Sequence, residues 1–163
     1  MSALEKPNFS TAELQRYARH LAIPEFGAEG QKKLKAAKVL CVGAGGLGSP
    51  VTMYLAAAGV GCIGIVDADV VDASNLQRQI LYSTADIGRK KLDAAKERLL
   101  GINPHISIEP HEALFTSANA REIVAGYDVV VDGTDNFPTR YLSNDVCVRL
   151  KKPNIYGSIL RFE

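Results

Sequence analysis

From residue 38 to residue 50 the chain reads K-V-L-C-V-G-A-G-G-L-G-S-P. A short apolar run is followed by four glycines within six residues and then by a stretch that reads as a helix over 47–58. Strand, glycine turn, helix is the arrangement that aims backbone N–H groups and a helix N-terminus at a phosphate. Gly43, Gly45 and Gly48 fit G-x-G-x-x-G. In that pattern the glycines serve a tight turn, a close approach of ligand to backbone, and close packing of helix on strand. The same residues also fit G-x-x-x-x-G, but Ser49 and Pro50 stand where a P-loop requires Lys and Ser or Thr. The stretch therefore predicts a Rossmann-like turn, and its nucleotide must be read from the remaining residues.

With 163 residues the chain is long enough to bury a real core in one domain. A formal net charge of +1 gives no electrostatic footprint for nucleic acid and no polybasic membrane patch. Residues 39–66 carry no charge, yet they hold seven glycines and Pro50, which split them into strand, helix and strand rather than a membrane span. The first eight residues are polar and include Glu5 and Lys6, unlike a secretory signal. Cys41, Cys62 and Cys147 are scattered, with no C-x-x-C and no metal-ligand spacing. Cys41, in a strand, and Cys62, at the start of one, read as small buried hydrophobes, and the pattern suits a reducing, cytoplasmic compartment.

Ser10-Thr-Ala-Glu13 is a capping box that starts a helix near Thr11, with Leu14, Tyr17, Ala18 and Leu21 on one face. Of Arg16, Arg19 and His20, which lie off that face, His20 reads as part of a solvated face. A second, basic helix is predicted over 27–37. After the glycine unit, Gly59 and Gly61 stop the helix, and a second strand, Cys62–Val66, ends at Asp67. An acid at that position, 19 residues after Gly48, is placed to accept hydrogen bonds from ribose hydroxyls. A helix is predicted from 86 to about 100, strands over 106–111, 127–132 and 153–159, and helices over 116–126 and 137–151. His105 and His111 read as structural or exposed. The alternation predicts an α/β fold, a Rossmann-like, mostly parallel sheet with helices on both faces, preceded by N-terminal helices over 10–37. The whole of 1–163 reads as a single nucleotide-binding domain.

Ligands of such sheets sit outside the carboxyl ends of the strands. There the sequence gathers the glycine turn, then Asp67 and Asp69, then Asp132 and Asp135. A helix N-terminus offers about half a positive charge, enough to balance part of a dinucleotide's pyrophosphate. A triphosphate also wants cations and a metal. Arg78 and Lys91 are the candidates for the missing loop lysine, and Asp135 or Asp69 is suited to hold Mg²⁺. Lys90 and Lys91 near a helix start oppose the macrodipole, a mild indication of a nearby anion. The set fits ATP better than NAD.

The runs G-A-G-G-L-G-S-P, D-A-D-V-V-D-A-S-N-L-Q-R-Q, I-G-R-K-K, I-N-P-H-I and D-G-T-D-N resemble the MoeB/ThiF family, bacterial relatives of ubiquitin-activating enzymes. The resemblance begins at Arg16-Tyr-Ala-Arg19-His and covers nearly the whole chain. S-N-L-Q-R-Q is quite specific and points to enzymes of sulfur-carrier proteins rather than to the related tRNA dehydratases. The resemblance implies that Gly46 lies against the nucleotide and Asp67 binds the ribose. It implies that Asn75, Arg78 and Lys91 contact the phosphates, that Asp135 binds Mg²⁺, and that Arg19 reaches into the partner's site of a homodimer. The implied reaction is ATP-dependent adenylation of the C-terminal glycine carboxylate of a ubiquitin-like sulfur carrier, for molybdopterin, thiamine or related sulfur transfer.

Members of this family continue past the position of Glu163 into zinc-binding C-x-x-C pairs, and often a catalytic cysteine, so the expectation is a fragment whose Zn²⁺ site lies outside it. Two other readings stay open on the residues alone: an NAD-dependent oxidoreductase, disfavoured by Arg78, Lys91 and the second acid cluster, and an inactive nucleotide-binding module.

Overall fold

The computed structural model describes residues 9–159. Three helices lead in, α1 (Thr11–Arg16), α2 (Ala18–Leu21) and α3 (Gly27–Ala36). Strands and helices then alternate: β1 (Lys38–Val42), α4 (Gly48–Ala58), β2 (Cys62–Val66), α5 (Lys91–Ile102), β3 (Ser107–His111), α6 (Ala120–Ala125), β4 (Val129–Asp132), α7 (Phe137–Leu150) and β5 (Asn154–Tyr156). The strands form one sheet in the order β3-β2-β1-β4-β5, and every neighbouring pair is parallel. This is the predicted Rossmann-like α/β architecture.

Parallel strands covered on both faces are apolar on both faces, which is why β1 and β2 read as unbroken hydrophobic runs. The period of two still sorts their side chains. Val39, Cys41, Ile63 and Ile65 pack with Ala56 of α4 and with Leu92, Ala95 and Leu99 of α5. Leu40, Val42, Cys62 and Val66 pack on the opposite face with Val124 of α6 and Cys147 of α7. All three cysteines are free and buried, and burial pushes the Cys41 thiol up to about 12, so at neutral pH it is a packing group.

Register sets the site. Val42 pairs with Val66 on one side and with Asp132 on the other. The chain therefore leaves β1, β2 and β4 at one level, at Gly43, Asp67 and Gly133. Between β1 and β4 the strand order reverses, which opens a crevice at the carboxyl ends.

Several boundaries differ from those read in the sequence. The helix expected over 86–100 starts at Lys91, because a 3-10 turn (Thr84–Asp86) and Gly88, at φ 84°, hold the chain out of helix before it. The helix expected over 116–126 is cut to Ala120–Ala125, with Asn119 Oδ1 instead accepting the Thr116 N–H. The fifth strand covers only Asn154–Tyr156.

The capping box at Ser10 forms in both directions: the Glu13 N–H donates to Ser10 Oγ and the Ser10 N–H to Glu13 Oε2. The helix it starts breaks at Tyr17 rather than continuing, and of its expected apolar face only Tyr17 is buried, while Leu14 and Ala18 are exposed. His20 is not a solvated residue: its Nδ1 lies 2.9 Å from Gln31 Oε1 and its ring stacks on Tyr17.

Asn103 ties this leading segment to the core. It is fully buried, and its Nδ2 donates to both Tyr17 Oη and the Ala56 carbonyl at 2.8 Å, while its Oδ1 accepts the His105 N–H. Truncation to alanine removes the bonds to Tyr17 Oη and the His105 N–H and one of the two that the Ala56 carbonyl accepts, the other coming from the Gly59 N–H, and it opens a void. Asn103→Ala is expected to lower unfolding free energy by about 2–4 kcal/mol in urea titration; a loss under half a kilocalorie would show that α1 is held elsewhere.

Candidate active site

A cavity of about 670 Å³ occupies the crevice between β1 and β4, within the size range of small-molecule and cofactor sites. Gly43, Gly45, Gly46, Asp67, Asp69, Asn75, Arg78, Lys91 and Asp135 all line it. Nine of the residues singled out from sequence thus converge from five separate segments.

The glycine turn is shaped by sterics. Gly43 sits at φ 89°, a left-handed conformation that side chains resist. A Cβ at Gly48 would fall 2.0 Å from the Gly43 carbonyl oxygen. Gly48 therefore does not line the cavity; it lets α4 close down on the turn. The N-terminus of α4 has no side-chain cap, and its orphan N–H groups favour an anion.

Asp67 Oδ2 accepts the Ala44 N–H and Oδ1 accepts the Asp69 N–H, each at 2.9 Å. Asp69 in turn holds Lys91: its Oδ2 lies 2.8 Å from Lys91 Nζ, and its carbonyl accepts the Lys91 N–H. Lys91 is buried although it stands at a helix start, whereas Lys90 beside it is exposed. Its neighbour Lys90 points elsewhere, to Glu112. A lysine at a helix N-terminus costs stability, and the carboxylate of Asp69 offsets that locally.

Arg78 lies with its stem against Gly46, whose added Cβ would meet Arg78 Cγ and Cδ at 3.4 Å. Its Nη1 makes only long bonds, 3.4 Å to the Ser74 carbonyl and 3.3 Å to Gln77 Oε1. No carboxylate among the described residues pairs with it.

The two acids after β4 separate. Asp135 is exposed on the cavity wall, and its carboxylate has no hydrogen-bond or ion-pair partner among the described residues. Asp132 turns inward, fully buried, with Oδ1 accepting from the Thr134 N–H and Oγ1. The expected acidic cluster after β4 is therefore one free carboxylate beside one turn-forming residue. Arg19, on α2, is exposed and is not among the residues lining the cavity of its own chain. Its neighbour Arg16 donates to the Ile102 carbonyl at 2.9 Å.

Five contributing residues were not singled out in the sequence. Arg140 donates through Nε and Nη2 to the Thr134 carbonyl, at 3.1 and 2.8 Å, and so grips the loop that carries Asp135. Gln79, at the end of the S-N-L-Q-R-Q run, lines the cavity while buried, and its Oε1 has no partner. Leu114 and Phe115 form an apolar wall. Tyr82 donates from below to the Ala44 carbonyl at 3.0 Å; burial first, then the charges of Asp67, Asp69 and Asp86, raise its phenol far above the usual value, so it stays a donor.

The family model described as the ThiF family matches residues 17–163. The chain belongs to the ThiF family. Among curated ThiF-type relatives, it is 55% identical over 154 residues to the probable adenylyltransferase/sulfurtransferase MoeZ of Mycobacterium tuberculosis, covering 94% of this chain and 39% of that protein. It is 52% identical over 151 residues to the sulfur carrier protein adenylyltransferase of Thermus thermophilus, covering 93% of this chain and 56% of that one. Of solved structures, E. coli tRNA N6-threonylcarbamoyladenosine dehydratase, TcdA, in complex with ATP superposes with a TM-score of 0.86 at 28% identity, over 94% of this chain and 65% of that chain. The chain thus spans about two fifths to three fifths of the length of these curated relatives.

The loop carrying the apolar wall leaves β3 at His111, which pairs with Tyr127. His111 Nε2 lies 2.7 Å from Tyr127 Oη, and that hydroxyl donates to Glu109 Oε2 at 2.8 Å. The hydroxyl proton is used, so the neutral imidazole donates from Nε2. Burial holds His111 below its ordinary 6.5, and the charge of Glu109 only partly opposes this. The unfolded chain therefore takes up the proton first as pH falls, and stability present above pH 6.5 is lost as pH drops through the folded value. Urea unfolding should show a larger loss of stability on going from about pH 7.5 to about pH 5.5 in wild type than in His111→Gln. Equal losses would remove His111 as the cause.

Proposed function

We propose that this protein adenylates the C-terminal glycine carboxylate of a ubiquitin-like sulfur-carrier protein, with ATP and Mg²⁺. One observation carries the reading: a glycine-floored cavity holds a guanidinium, Arg78, without a carboxylate partner, a buried ammonium, Lys91, and a free carboxylate, Asp135. Two cations with one metal-type acid match a triphosphate and exceed what a dinucleotide needs. The names of the relatives point the same way. MoeZ and the Thermus thermophilus protein are called adenylyltransferases, and identity to them is well above the 28% to the tRNA dehydratase.

In this reading Leu114 and Phe115 offer a flat apolar seat for the base. Asp67 keeps lone pairs for the ribose hydroxyls beyond the two backbone bonds it accepts. Asn75, Arg78 and Lys91 face the phosphates, with Gly45 and Gly46 beneath them. Asp135 is the residue suited to Mg²⁺, which binds through one or two carboxylates plus phosphate oxygens and neutralises phosphate charge.

The carrier's carboxylate oxygen attacks the α-phosphorus, and the bond from that phosphorus to the bridging oxygen breaks. Pyrophosphate leaves and an acyl-adenylate remains. No general base is required, because a carboxylate is already ionised at neutral pH. The chain's own work is orientation and charge stabilisation, with Arg78 and Lys91 placed against the developing negative charge.

We further read the protein as a cytoplasmic homodimer. Arg19 lies off its own cavity, and Arg16 beside it reaches Ile102, which borders an apolar surface hollow with Pro50, Met53, Tyr54, Ala57 and Ile80. We place the second copy on that hollow, with Arg19 directed toward the partner's phosphates. Among the described residues no helix is long and apolar enough to cross a membrane. We take residues 10–37 and the sheet that follows as one domain, since Asn103 binds Tyr17 directly.

Arg78→Ala and Asp135→Ala should each reduce carrier-dependent ATP–pyrophosphate exchange by about 10²–10³-fold, with circular dichroism and melting unchanged, because both side chains are exposed. Wild-type exchange in both variants would remove these roles. Calorimetric titration provides the second check: ATP–Mg²⁺ should bind and NAD should not, and tight NAD binding without ATP binding sinks adenylation altogether.

A further inference from the structure

We infer that Tyr82 and Ser49 are positioning residues that set the direction of the peptide between Ala44 and Gly45, and so aim the Gly45 N–H at a ligand phosphate. The inference rests on the nucleotide reading above.

The Ala44 peptide groups are fixed from inside the protein. The Ala44 carbonyl accepts from Tyr82 Oη at 3.0 Å and from Ser49 Oγ at 3.3 Å, both buried donors. The Ala44 N–H is taken by Asp67 Oδ2 at 2.9 Å. A peptide unit is planar and trans, so its carbonyl and N–H point in opposite directions; no cis bond occurs among the described residues. Anchoring the Ala44 carbonyl inward therefore turns the Gly45 N–H outward. Gly45 lines the cavity, and neither its N–H nor that of Gly46 meets an acceptor among the described residues.

A glycine has the widest choice of backbone conformations, so a turn with Gly43, Gly45 and Gly46 does not hold a peptide direction by itself. A flipped 44–45 peptide would present a carbonyl oxygen to the phosphates, which repels them. Two buried hydroxyls on one carbonyl exclude the flip. Ser49 occupies the position where a P-loop carries its lysine; here the side chain points into the protein and supports the backbone instead.

The experiment compares wild type, Tyr82→Phe and Ser49→Ala by calorimetry with ATP–Mg²⁺ and with inorganic pyrophosphate, and follows the ¹⁵N–¹H signal of Gly45 during both titrations. The expected result is affinity about fivefold to twentyfold weaker in Tyr82→Phe, less in Ser49→Ala, with a reduced ligand-induced shift of the Gly45 amide. Melting temperature is recorded for each. Should Tyr82→Phe not fold, Ser49→Ala alone decides through the Gly45 signal. Unchanged affinity, or weaker affinity with an undiminished Gly45 shift, overturns the inference, the latter because it marks general loosening. If wild type takes NAD and not ATP, adenylation fails separately, and the same comparison run on the pyrophosphate of NAD still scores the peptide.

Discussion

The carboxylate of Asp67 accepts two backbone N–H groups, from Ala44 in the glycine turn and from Asp69 in the loop after β2. Through it the two loops that build the floor and one wall of the cavity share a single anchor. Asp69 passes the connection on to Lys91 at the start of α5, and Tyr82 closes it from beneath at Ala44. The anchor works only because Val42 and Val66 are level in the sheet. A slip in register would carry Asp67 past the turn.

Charge explains why this version of the glycine turn differs from a P-loop. A P-loop lysine projects from the loop itself. Here the loop offers backbone N–H groups and an uncapped helix end, and positive charge arrives from Arg78, resting on Gly46, and from Lys91. Lys91 is buried at a helix N-terminus, an unfavourable place for an ammonium, and the exposed Asp69 pairs with it and orients it. A bound polyphosphate would relieve the same mismatch. The free carboxylate of Asp135 likewise leaves polar capacity facing the cavity, as ligand sites do and packed cores do not.

Most of the sheet was legible because buried parallel strands leave apolar runs bounded by glycine and acid, as at Val39–Val42 and Val129–Asp132. Helix ends were less so. Gly88 and the Ser83–Asp86 cap shorten α5 through local turns whose polar residues read equally well as helix. The face expected for α1 failed at Leu14 because the chain breaks at Tyr17, which is pulled down onto Gly59 and Asn103. Arg140 and Tyr82 gave no signal, since an arginine in a helix and a tyrosine in a loop have many ordinary uses.

The sequence by itself determined the turn, the alternation of strand and helix, and the residue types that a nucleotide would require, because glycine spacing and hydrophobic period are local properties. Only the tertiary structure decided which acids serve the cavity. Asp132 and Asp135 lie three residues apart, yet one is buried under Thr134 and the other stands free. It also decided that Lys91 is held by Asp69 and that Ala44 is clamped on both sides. Those contacts join residues 22 to 38 positions apart, and such pairings exist only once the sheet has brought its strand ends to one level.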